Sequence, residues 1–357
     1  MAAEVVVPAS RLRRFCYQVA RKLEVPEDDA DILAGTLVDA DLRGVHTHGS
    51  SLLPGYARRL QAGGTKRDAP LTVVQDGPAV AVADGNAGIG QVIATRAMRL
   101  AIDKARHAGI GAVSVRNSNH FGAAATYSML ALPNDMIGFA TTNAGTRVPP
   151  FGGASAVIGN NPLSYAIPAG TERPIVLDMA QSVVAAGKLA MAQRKGEKIP
   201  VGWALDVDGN PTDDPKAGLA GLLLPLAGPK GFGMAVVMDV LSGALSGGAV
   251  GMDLSGPRPA ERPFRVCHFF MAIDIGRFVE VSEFKSRVDQ VIRDTKAARK
   301  APGVSEIYLP GEIEFELRER REREGIPLLA SLVDDLEALG ADFGLDTADR
   351  RLTLGSD

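Results

Sequence analysis

The sequence contains 357 residues, of which 46% are hydrophobic and 23% are charged, so it is typical of a folded globular protein rather than a disordered chain. Its formal net charge of −3 gives no sign of the basic surface that nucleic-acid binding requires. The two cysteines, Cys16 and Cys267, are too few for a disulfide framework, so we expect a reducing, cytoplasmic compartment.

Both ends of the chain carry helical patterns. Apolar residues at helical spacing predict three helices near the N-terminus, over about 10–23, 26–44 and 52–60. Near the C-terminus, residues 312–324 carry opposite charges at helical spacing, typical of a solvated helix face, and 328–340 form an amphipathic stripe. We therefore expect a helical subdomain built from residues 1–70 and 312–357.

The middle of the chain, residues 71–311, alternates between strand-like and helical patterns. Two β-rich runs flank Asp76-Gly77-Pro78 and predict a hairpin. Further strands are predicted over 110–115, 136–142, 163–168, 174–180 and 264–274, and helices over 91–107, 123–132, 183–195 and 284–300. The expected fold class is α+β, with a mixed α/β cofactor- and substrate-binding domain between helical ends.

The most apolar stretch runs from Gly233 to Met252 and is long enough to cross a bilayer. Asp239 lies in its middle, and glycine and alanine dominate its composition. We expect a buried core helix that packs through small residues rather than a membrane span.

Two glycine-containing turns are candidate ligand loops. The stretch GNAGIG, Gly85 to Gly90, precedes a helix but departs from the G-x-G-x-x-G dinucleotide fingerprint, so a tight turn is the better interpretation. The stretch NSNHFG, Asn117 to Gly122, ends a strand and enters a helix, where its polar cluster of Asn117, Asn119 and His120 is favoured as functional.

Two further loops join polar residues to apolar elements. GNNPLSYAIP contains Asn160, and PKGFGMAVVMD contains Lys230, a single cation before a helix that looks buried. A buried lysine would need a partner or a ligand. Helix entry or capping is an equally good interpretation of both loops.

The loop GVHTHGSSLLPGY places His46 and His48 two residues apart between predicted helices. An H-x-H pair would suit a zinc-dependent amidohydrolase, but His107 looks like a helix end and His268 like a core residue, which leaves few further ligands. Alternatively, an imidazole here acts as a general acid, since its reference pKa is about 6.5. A capping loop without catalytic function is the third alternative.

Several of these motifs occur together and in order. They are DLRGVHTHG, VRNSNHFGAAATYSMLA, TTNAGTRVPPFGG, GNNPLSYAIP, IVLDMAQSVVAAGKLAMA, IPVGWALDVDGNPTDDP, GPKGFGMAVVMDVLSGALSGG and YLPGEIEFELRERREREGIPL. Along essentially its whole length the chain resembles the type-2 malate/L-lactate dehydrogenase family. That family also includes ureidoglycolate, sulfolactate and 2,3-diketogulonate oxidoreductases and Δ1-piperideine-2-carboxylate reductases.

The resemblance implies an oxidoreductase that uses NADH or NADPH on a small-molecule substrate and binds no metal. It implies a non-Rossmann fold with a large, mostly antiparallel sheet, and a homodimer with active sites near the interface. It implies His48 as the proton donor or acceptor beside Thr47, with His120 as a second candidate base and Lys188 near the catalytic centre. It assigns the cofactor to His120, Phe121, Gly122, Ala123, Ala124, Asp178, Met179, Ala180, Lys230, Pro310, Gly311 and Glu312, and the substrate to Asn160.

One position departs from the family pattern. Many members have an arginine three residues after the glycine of the histidine motif, where it grips the substrate carboxylate, and here that position is Leu52. Leucine cannot form a bidentate carboxylate contact. Either Arg58, Arg59 or Arg147 substitutes, or the substrate has no simple α-carboxylate at this point and Leu52 provides an apolar wall.

The leading expectation is therefore a dehydrogenase or reductase of 2-oxo and 2-hydroxy acids. A close alternative on the same fold is the reduction of a cyclic imine carboxylate. The zinc amidohydrolase built on His46 and His48 is the alternative from another class, and a catalytically silent cofactor-binding relative is the last.

Overall fold

The structure is a computed structural model that describes residues 3–256 and 259–353. Within these ranges the helices are α1 (Ala9–Lys22), α2 (Glu27–Leu42), α3 (Leu53–Ala62), α4 (Gly90–Ala108), α5 (Ala125–Ser128), α6 (Ala186–Lys195), α7 (Pro215–Ala220), α8 (Pro229–Asp239), α9 (Val281–Lys296), α10 (Glu312–Glu324), α11 (Ala330–Asp342) and α12 (Thr347–Arg350). The strands are β1 (Glu4–Val7), β2 (Thr72–Asp76), β3 (Val80–Asp84), β4 (Ile110–Ser118), β5 (Met136–Thr142), β6 (Leu163–Ile167), β7 (Ile175–Met179), β8 (Ala204–Leu205), β9 (Pro211–Thr212), β10 (Leu222–Leu223), β11 (Val266–Asp274) and β12 (Ile326–Leu329).

The two ends of the chain share one hydrophobic core. Strand β1 pairs antiparallel with β12, so that Glu4 lies opposite Leu329. The apolar faces of α1, α2 and α3 pack with residues of β12 and α11, and Phe15, Leu33 and Leu336 are buried at the centre. Ile89 and Val92, from the start of α4, belong to the same cluster. The division of the chain into 1–70 plus 312–357 and 71–311 stays a prediction.

A seven-stranded mixed sheet forms the middle of the molecule, in the order β2-β3-β4-β11-β5-β6-β7. Neighbouring strands run antiparallel except β3 and β4, which are parallel. Alternate residues of β11 serve opposite faces: Phe270 joins the cluster under α4, while Phe269 and Met271 join the cluster that holds Met238 of α8. The sheet is therefore covered on both faces, and the hairpin predicted around Gly77 is confirmed.

A smaller module follows β7. Helices α6 and α7 pack with the three-stranded sheet β10-β8-β9 around the buried side chain of Leu189. Strand β7 leads directly into this module, and α6 begins seven residues after the strand ends. The module therefore lies immediately after one of the segments expected to contact the cofactor.

The prediction of one buried helix over Gly233–Met252 is wrong. Helix α8 ends at Asp239 and continues as a π-helical turn over Val240–Ala244. Several of its apolar side chains are exposed, because only one face of α8 rests on the sheet: Met234, Val237 and Val240 are 42%, 49% and 52% exposed. Within the described ranges, no helix has the length and hydropathy to cross a membrane.

Other expected elements differ mainly at their ends. The helix predicted over 123–132 is the short α5 followed by a 3-10 segment at Met129–Asn134, which contains Pro133. Proline lacks a backbone N–H and shortens the regular helix there. Helix α9 ends at Lys296 rather than at residue 300. The charged helix α10 is not solvated all round, because Arg321 is buried against the helical core.

Candidate active site

The loop that carries His46 and His48 is two short 3-10 turns between α2 and α3. One carboxylate anchors it: Asp41 Oδ1 lies 2.8 Å from His46 Nδ1, and Asp41 Oδ2 accepts the backbone N–H of Ser50 at 2.7 Å. A Cβ atom at Gly49 would lie 2.1 Å from Asp41 Oδ1, so only glycine leaves room for this contact. Asp41 thus holds both ends of the turn that contains His48.

His46 is a structural residue. The guanidinium of Arg321 lies 3.0 Å from His46 Nε2 and also donates to the carbonyl oxygen of Asp41. Since arginine can only donate, His46 Nε2 is an acceptor and Nδ1 carries the hydrogen that is donated to Asp41. Neither nitrogen has a free lone pair for zinc. Among the described residues, the group of donors spaced for a metal ion is Glu306, Glu312 and Glu316, far in sequence from the histidines.

His48 is held differently. Its Nδ1 lies 3.0 Å from Thr47 Oγ1, and its ring stacks on that of His120 with centroids 5.7 Å apart and planes 19° apart. Burial lowers the pKa of His48, because a charged imidazole loses hydration there. The hydroxyl of Thr47 can accept the Nδ1 hydrogen, which His48 carries both as the imidazolium and as the neutral ring with a bare Nε2. The arrangement suits a residue that gains and loses a proton.

Thr47 also meets the start of α6. A Cβ atom at Gly187 would lie 2.5 Å from Thr47 Cγ2, so glycine allows α6 to approach the loop. Lys188 follows directly and is exposed. The structure therefore brings Lys188 to the neighbourhood of His48, while its role stays a prediction.

His120 follows β4 in the loop that was favoured as functional. The first residue of α4 lies against this loop, since a Cβ atom at Gly90 would be 2.2 Å from the carbonyl oxygen of His120. The hydroxyl of Tyr56, in α3, lies 2.6 Å from His120 Nδ1. Burial, and the neighbouring His48, lower the pKa of His120 to about 3. His120 is therefore neutral at physiological pH.

The two asparagines of the same loop serve the fold. Asn117 donates to Asp84 Oδ2 at 2.8 Å, and Asn119 donates to the carbonyl oxygens of Ala87 and Gly88 and accepts from the backbone of Phe264. The hydrogen bonds of Asn119 connect the NSNHFG loop to the GNAGIG turn. The interpretation of GNAGIG as a tight turn fits this packing, and a functional role in this cluster stays a prediction for His120.

The residues expected to bind the cofactor form a continuous strip. Phe121 is stacked between Tyr127 and the buried His268, with the His268 ring 4.7 Å away. Gly122 has φ +83°, and a Cβ atom there would lie 3.9 Å from the carbonyl oxygen of His48. Ala123 and Ala124 lead into α5, whose first N–H, that of Ala125, donates to Asp178 Oδ2 at 2.9 Å.

The strip continues through β7. Met179 and Ala180 follow Asp178. Strand β7 also contacts the loop that contains Pro310, since the Val176 N–H donates to the carbonyl oxygen of Pro310 at 2.9 Å. Gly311 has φ +87° and approaches the backbone of Val176 too closely for a side chain. Glu312 is already engaged: its carboxylate holds Lys296 and accepts the N–H of Leu309.

Asn160 and Lys230 lie at the far end of the strip. The carbonyl oxygen of Asn160 accepts the N–H of Gln181 at 2.7 Å, and the carbonyl oxygen of Gln181 accepts the N–H of Leu226, a few residues before α8. Lys230 is in the first turn of α8 and is exposed, so the expectation of a buried lysine is wrong. Its charge is solvated and needs no internal partner.

The position that departs from the family, Leu52, is half-buried and packs on the helical core. Of the three candidate arginines, Arg59 is buried, lies 3.7 Å from the ring centroid of Phe264 and donates to the carbonyl oxygens of Pro259 and Arg262. Arg58 is exposed, and Arg147 is exposed with one long contact to the carbonyl oxygen of Leu219.

The remaining two histidines match their predicted places. His107 is exposed at the end of α4, where Nδ1 lies 2.8 Å from the carbonyl oxygen of Asp103. His268 is fully buried in β11, and its Nδ1 lies 2.8 Å from Thr142 Oγ1.

Sequence reasoning missed two residues of the site. Tyr56 ends the very stretch that first drew attention to His48, and it lies eight residues after His48 on the next helix. Gln91 is fully buried at the start of α4 and lines the same cavity as Tyr56 and His120. The sequence feature that could have identified Tyr56 is its place on the inner face of α3, four residues after Leu52.

Comparison with known proteins identifies relatives along the whole chain. Residues 7–337 match the family model described as malate/L-lactate dehydrogenase. Malate dehydrogenase from Pyrococcus horikoshii is 41% identical over 348 residues, or 95% of this chain and 96% of the relative. Its solved structure superposes with a TM-score of 0.88 over 97% of this chain and 98% of that chain.

Two other relatives widen the range of activities. Ureidoglycolate dehydrogenase (NAD(+)) from Escherichia coli strain K12 is 35% identical over 87% of each chain. The crystal structure of Δ1-piperideine-2-carboxylate reductase from Pseudomonas syringae pvar. tomato superposes with a TM-score of 0.83 at 28% identity, covering 94% of this chain and 99% of that one. The protein is thus an oxidoreductase, and it belongs to the malate/L-lactate dehydrogenase family.

Proposed function

We propose that this protein uses NADH or NADPH to interconvert a 2-oxo acid and a 2-hydroxy acid, with His48 as the acid–base residue. The observation that carries the proposal is the stacked pair of His48 and His120 beside Gly122, which has no side chain. Two half-buried imidazoles next to this glycine can accept a small polar substrate and a flat ring together.

The strip of residues described above fits a dinucleotide. Gly122 leaves space where a side chain would stand, Met179 offers half-buried apolar surface, and Lys230 is a solvated cation at the N-terminus of α8, where phosphate is favoured. The mixed sheet has a single parallel pair, which supports a cofactor site outside the doubly wound Rossmann arrangement. When bound, the reduced nicotinamide supplies a hydride to the substrate carbon.

His48 supplies the proton that balances the hydride. In reduction, the His48 imidazolium donates its proton to the substrate oxygen as negative charge develops there, and the C=O becomes CH–OH. In oxidation, neutral His48 takes that proton back. Thr47 accepts the Nδ1 hydrogen, which is present before and after the transfer at Nε2, and so orients the ring in both states. Burial of this site strengthens each of these electrostatic contacts.

The residue at position 52 bears on which substrate the site accepts. With a leucine at this position the substrate carboxylate needs another cation, and we take the exposed Arg58, Arg147 and Lys188 as the candidates. Arg59 is already bound to backbone carbonyls and to Phe264. A substrate with an apolar group against Leu52 fits these residues better than a second carboxylate at that point.

A cyclic imine carboxylate is the second candidate substrate. The similarity to Δ1-piperideine-2-carboxylate reductase supports it, and such a ring would place methylene groups against Leu52. The same groups would act: hydride would add to the C=N carbon and His48 would protonate the nitrogen. The zinc amidohydrolase has no support in the loop, because both nitrogens of His46 are engaged.

We include in this proposal a homodimer that covers α8. Its exposed row of Met234, Val237 and Val240 is apolar and lies close to Lys230 at the end of the cofactor strip. Apolar rows of this kind commonly mark a protein–protein contact. A second copy seated there would bring the dimer interface to the edge of the active site.

The proposal is tested by following the oxidation of NADH and of NADPH against a panel of 2-oxo acids and cyclic imines. We expect turnover with at least one 2-oxo acid. Turnover with imines alone would transfer the assignment to the second candidate. Failure to bind either reduced nicotinamide, measured by fluorescence titration without substrate, would contradict the proposal as a whole.

A further inference from the structure

The hydroxyl of Tyr56 makes the shortest polar contact to the active-site imidazoles. It lies 2.6 Å from His120 Nδ1, and the two rings are tilted with centroids 6.1 Å apart. Tyr56 is on α3, which is packed into the helical core, so its ring is fixed from behind by Leu33 and its neighbours. Its position is therefore set by the helical core rather than by the loop that carries His120.

The direction of this hydrogen bond follows from the partners that surround Tyr56. Among the described residues, His120 Nδ1 is the acceptor found within hydrogen-bond distance of the Tyr56 hydroxyl. The Gln91 side chain is 1% exposed and lines the same cavity as Tyr56 and His120, and its amide nitrogen, a donor, has no hydrogen-bond partner there. Buried donors need acceptors. Both needs are met when Tyr56 gives its hydrogen to His120 Nδ1 and leaves its oxygen available to Gln91.

We propose that Tyr56, oriented by Gln91, donates to His120 Nδ1 and so holds His120 as the neutral tautomer with its hydrogen on Nε2. Resting on the proposed function, this makes His120 a fixed hydrogen-bond donor to the substrate oxygen or nitrogen, while His48 moves the proton. Tyr56 is then a positioning residue. It acts through His120 and contacts neither substrate nor cofactor.

The contrast with His48 explains why two imidazoles share one site. As an acceptor, Thr47 keeps a hydrogen on Nδ1 of His48, so Nε2 can lose and regain its proton. As a donor, Tyr56 leaves Nδ1 of His120 bare, so Nε2 keeps its hydrogen and His120 stays in one state. A fixed donor aimed at the atom on which charge develops stabilises that charge without reorganisation, and removal of such a donor typically costs about 10²–10³-fold in turnover.

The groups that face His120 all favour its neutral form. The His48 ring stacks on it, and His268 lies behind Phe121. Arg59 and Tyr56 approach from α3, and Arg59 is held by Phe264 and by backbone carbonyls. No carboxylate among the described residues is paired with the His120 ring, so no negative charge there would stabilise the positive charge of an imidazolium.

The first test is independent of substrate. Nitrogen-15 NMR of labelled histidines in the unliganded protein distinguishes the two neutral tautomers and the imidazolium. At neutral pH we expect His120 with a protonated Nε2 and a bare Nδ1, assigned by the loss of its signals in His120→Gln. A protonated Nδ1 would overturn the proposal, even in an enzyme whose dehydrogenase activity is established.

The second test separates a donor from a base. Gln places an N–H where His Nε2 stands but cannot exchange a proton at neutral pH. We expect His120→Gln to retain turnover within about tenfold and His120→Ala to lose about 10²–10³-fold. Equal losses in both variants would mean that His120 is a base, and the assignment to a donor would fail.

The third test concerns Tyr56→Phe, which removes only the hydroxyl. We expect turnover to fall about 10-fold or more with cofactor affinity unchanged, and a new loss of activity at acidic pH, because Nδ1 without its donor accepts a proton more readily. In the His120→Gln background the same change should have little further effect. An equal cost in both backgrounds, or an unchanged pH profile, would reduce Tyr56 to a packing residue.

Tyr17→Phe is the matched control. Tyr17 also packs against the helical core, but from α1 and away from the histidines. We expect it to leave turnover and pH profile as in the unmodified protein, and thermal melting of both variants checks that each remains folded.

Discussion

His46 and His48 are two residues apart, and their environments give them different chemistry. His46 lies between a carboxylate and a guanidinium, so each ring nitrogen has a partner of one fixed kind. His48 has the hydroxyl of Thr47 on one nitrogen and the ring of His120 beside it. Hydrogen-bond partners on both ring nitrogens suit a structural role. A partner on Nδ1 that leaves Nε2 for the substrate suits proton transfer.

Replacement of His48 by alanine should remove the proton donor and leave the cofactor strip intact. We expect turnover to fall about 10²–10⁴-fold, while the affinity for NADH or NADPH, measured by fluorescence titration, stays within about twofold. His107→Ala, on the exposed end of α4, is the control and should be unchanged. Near-normal turnover in His48→Ala would move the proton role to His120.

The pH dependence of turnover should follow His48. Burial lowers its pKa from the ordinary 6.5. Reduction needs the imidazolium, so its rate should fall as pH rises through a midpoint below 6.5, while oxidation needs the neutral ring and should rise through the same midpoint. Initial rates measured in both directions between acidic and neutral pH test this. A midpoint above 7 in both directions would contradict it.

The proposed role of Leu52 in substrate choice can be tested by substitution. We expect Leu52→Arg to increase kcat/KM for a dicarboxylic 2-oxo acid about tenfold or more, because a guanidinium can pair with carboxylate through two parallel hydrogen bonds. The half-buried position should make the variant less stable by about 1–2 kcal/mol, measured by denaturant unfolding. Leu52→Met is the volume-matched control and should change neither quantity much. A lower kcat/KM in the arginine variant would show that this position does not face the carboxylate.

At the scale of elements, close backbone approach places the catalytic loop. Gly49 lies against Asp41, Gly187 lies against Thr47, and Gly90 lies against the carbonyl of His120. Each glycine allows one element to come within a distance that a methyl group would prevent. Three separate elements therefore converge on the two histidines without any long side chain between them.

Gly49→Ala should loosen this arrangement. A Cβ atom there would fall 2.1 Å from Asp41 Oδ1, so the loop or the carboxylate must move. We expect a loss of about 1–3 kcal/mol in the free energy of unfolding and a marked fall in turnover. Gly55→Ala, in α3 with open space around it, is the control and should stabilise the protein by about 0.5–1 kcal/mol. Equal stability of the two variants would argue against the anchor.

Local patterns predicted the elements well but not their long-range partners. The hairpin at Gly77 and the strands β4 to β7 follow from short apolar runs and turn residues, which are local properties. The role of His46 depends on Arg321, which is 275 residues away and lies in a helix whose charges looked solvated. The exposure of α8 depends on which of its faces meets the sheet, and its uniformly apolar sequence carries no such information.

The candidate site was predictable to the same extent. His48 and His120 were identified from motifs, and the structure brings their rings into contact. Tyr56 and Gln91 were missed because a tyrosine and a glutamine on helices have no spacing that points to a ligand. Their importance follows only from the distance of 2.6 Å to His120 Nδ1.

At the scale of the whole molecule, the proposed dimer can be broken on α8. We expect Val237→Asp to convert a dimer into a monomer in sedimentation equilibrium, because a carboxylate would be buried without a partner at the contact. Val291→Asp, on the exposed face of α9, is the control and should keep the dimer. A dimer that survives the change at Val237 would place the interface elsewhere.

The pairing of β1 with β12 and the contact of Arg321 with His46 have a consequence for biosynthesis. The loop of His46 and His48 is synthesised early, but Arg321, whose guanidinium contacts His46, is translated 275 residues later, and β12, the partner of β1, follows it. A nascent chain can therefore carry both histidines outside the ribosome before Arg321 reaches His46. We expect the turn to become fully anchored only after α10 has been synthesised.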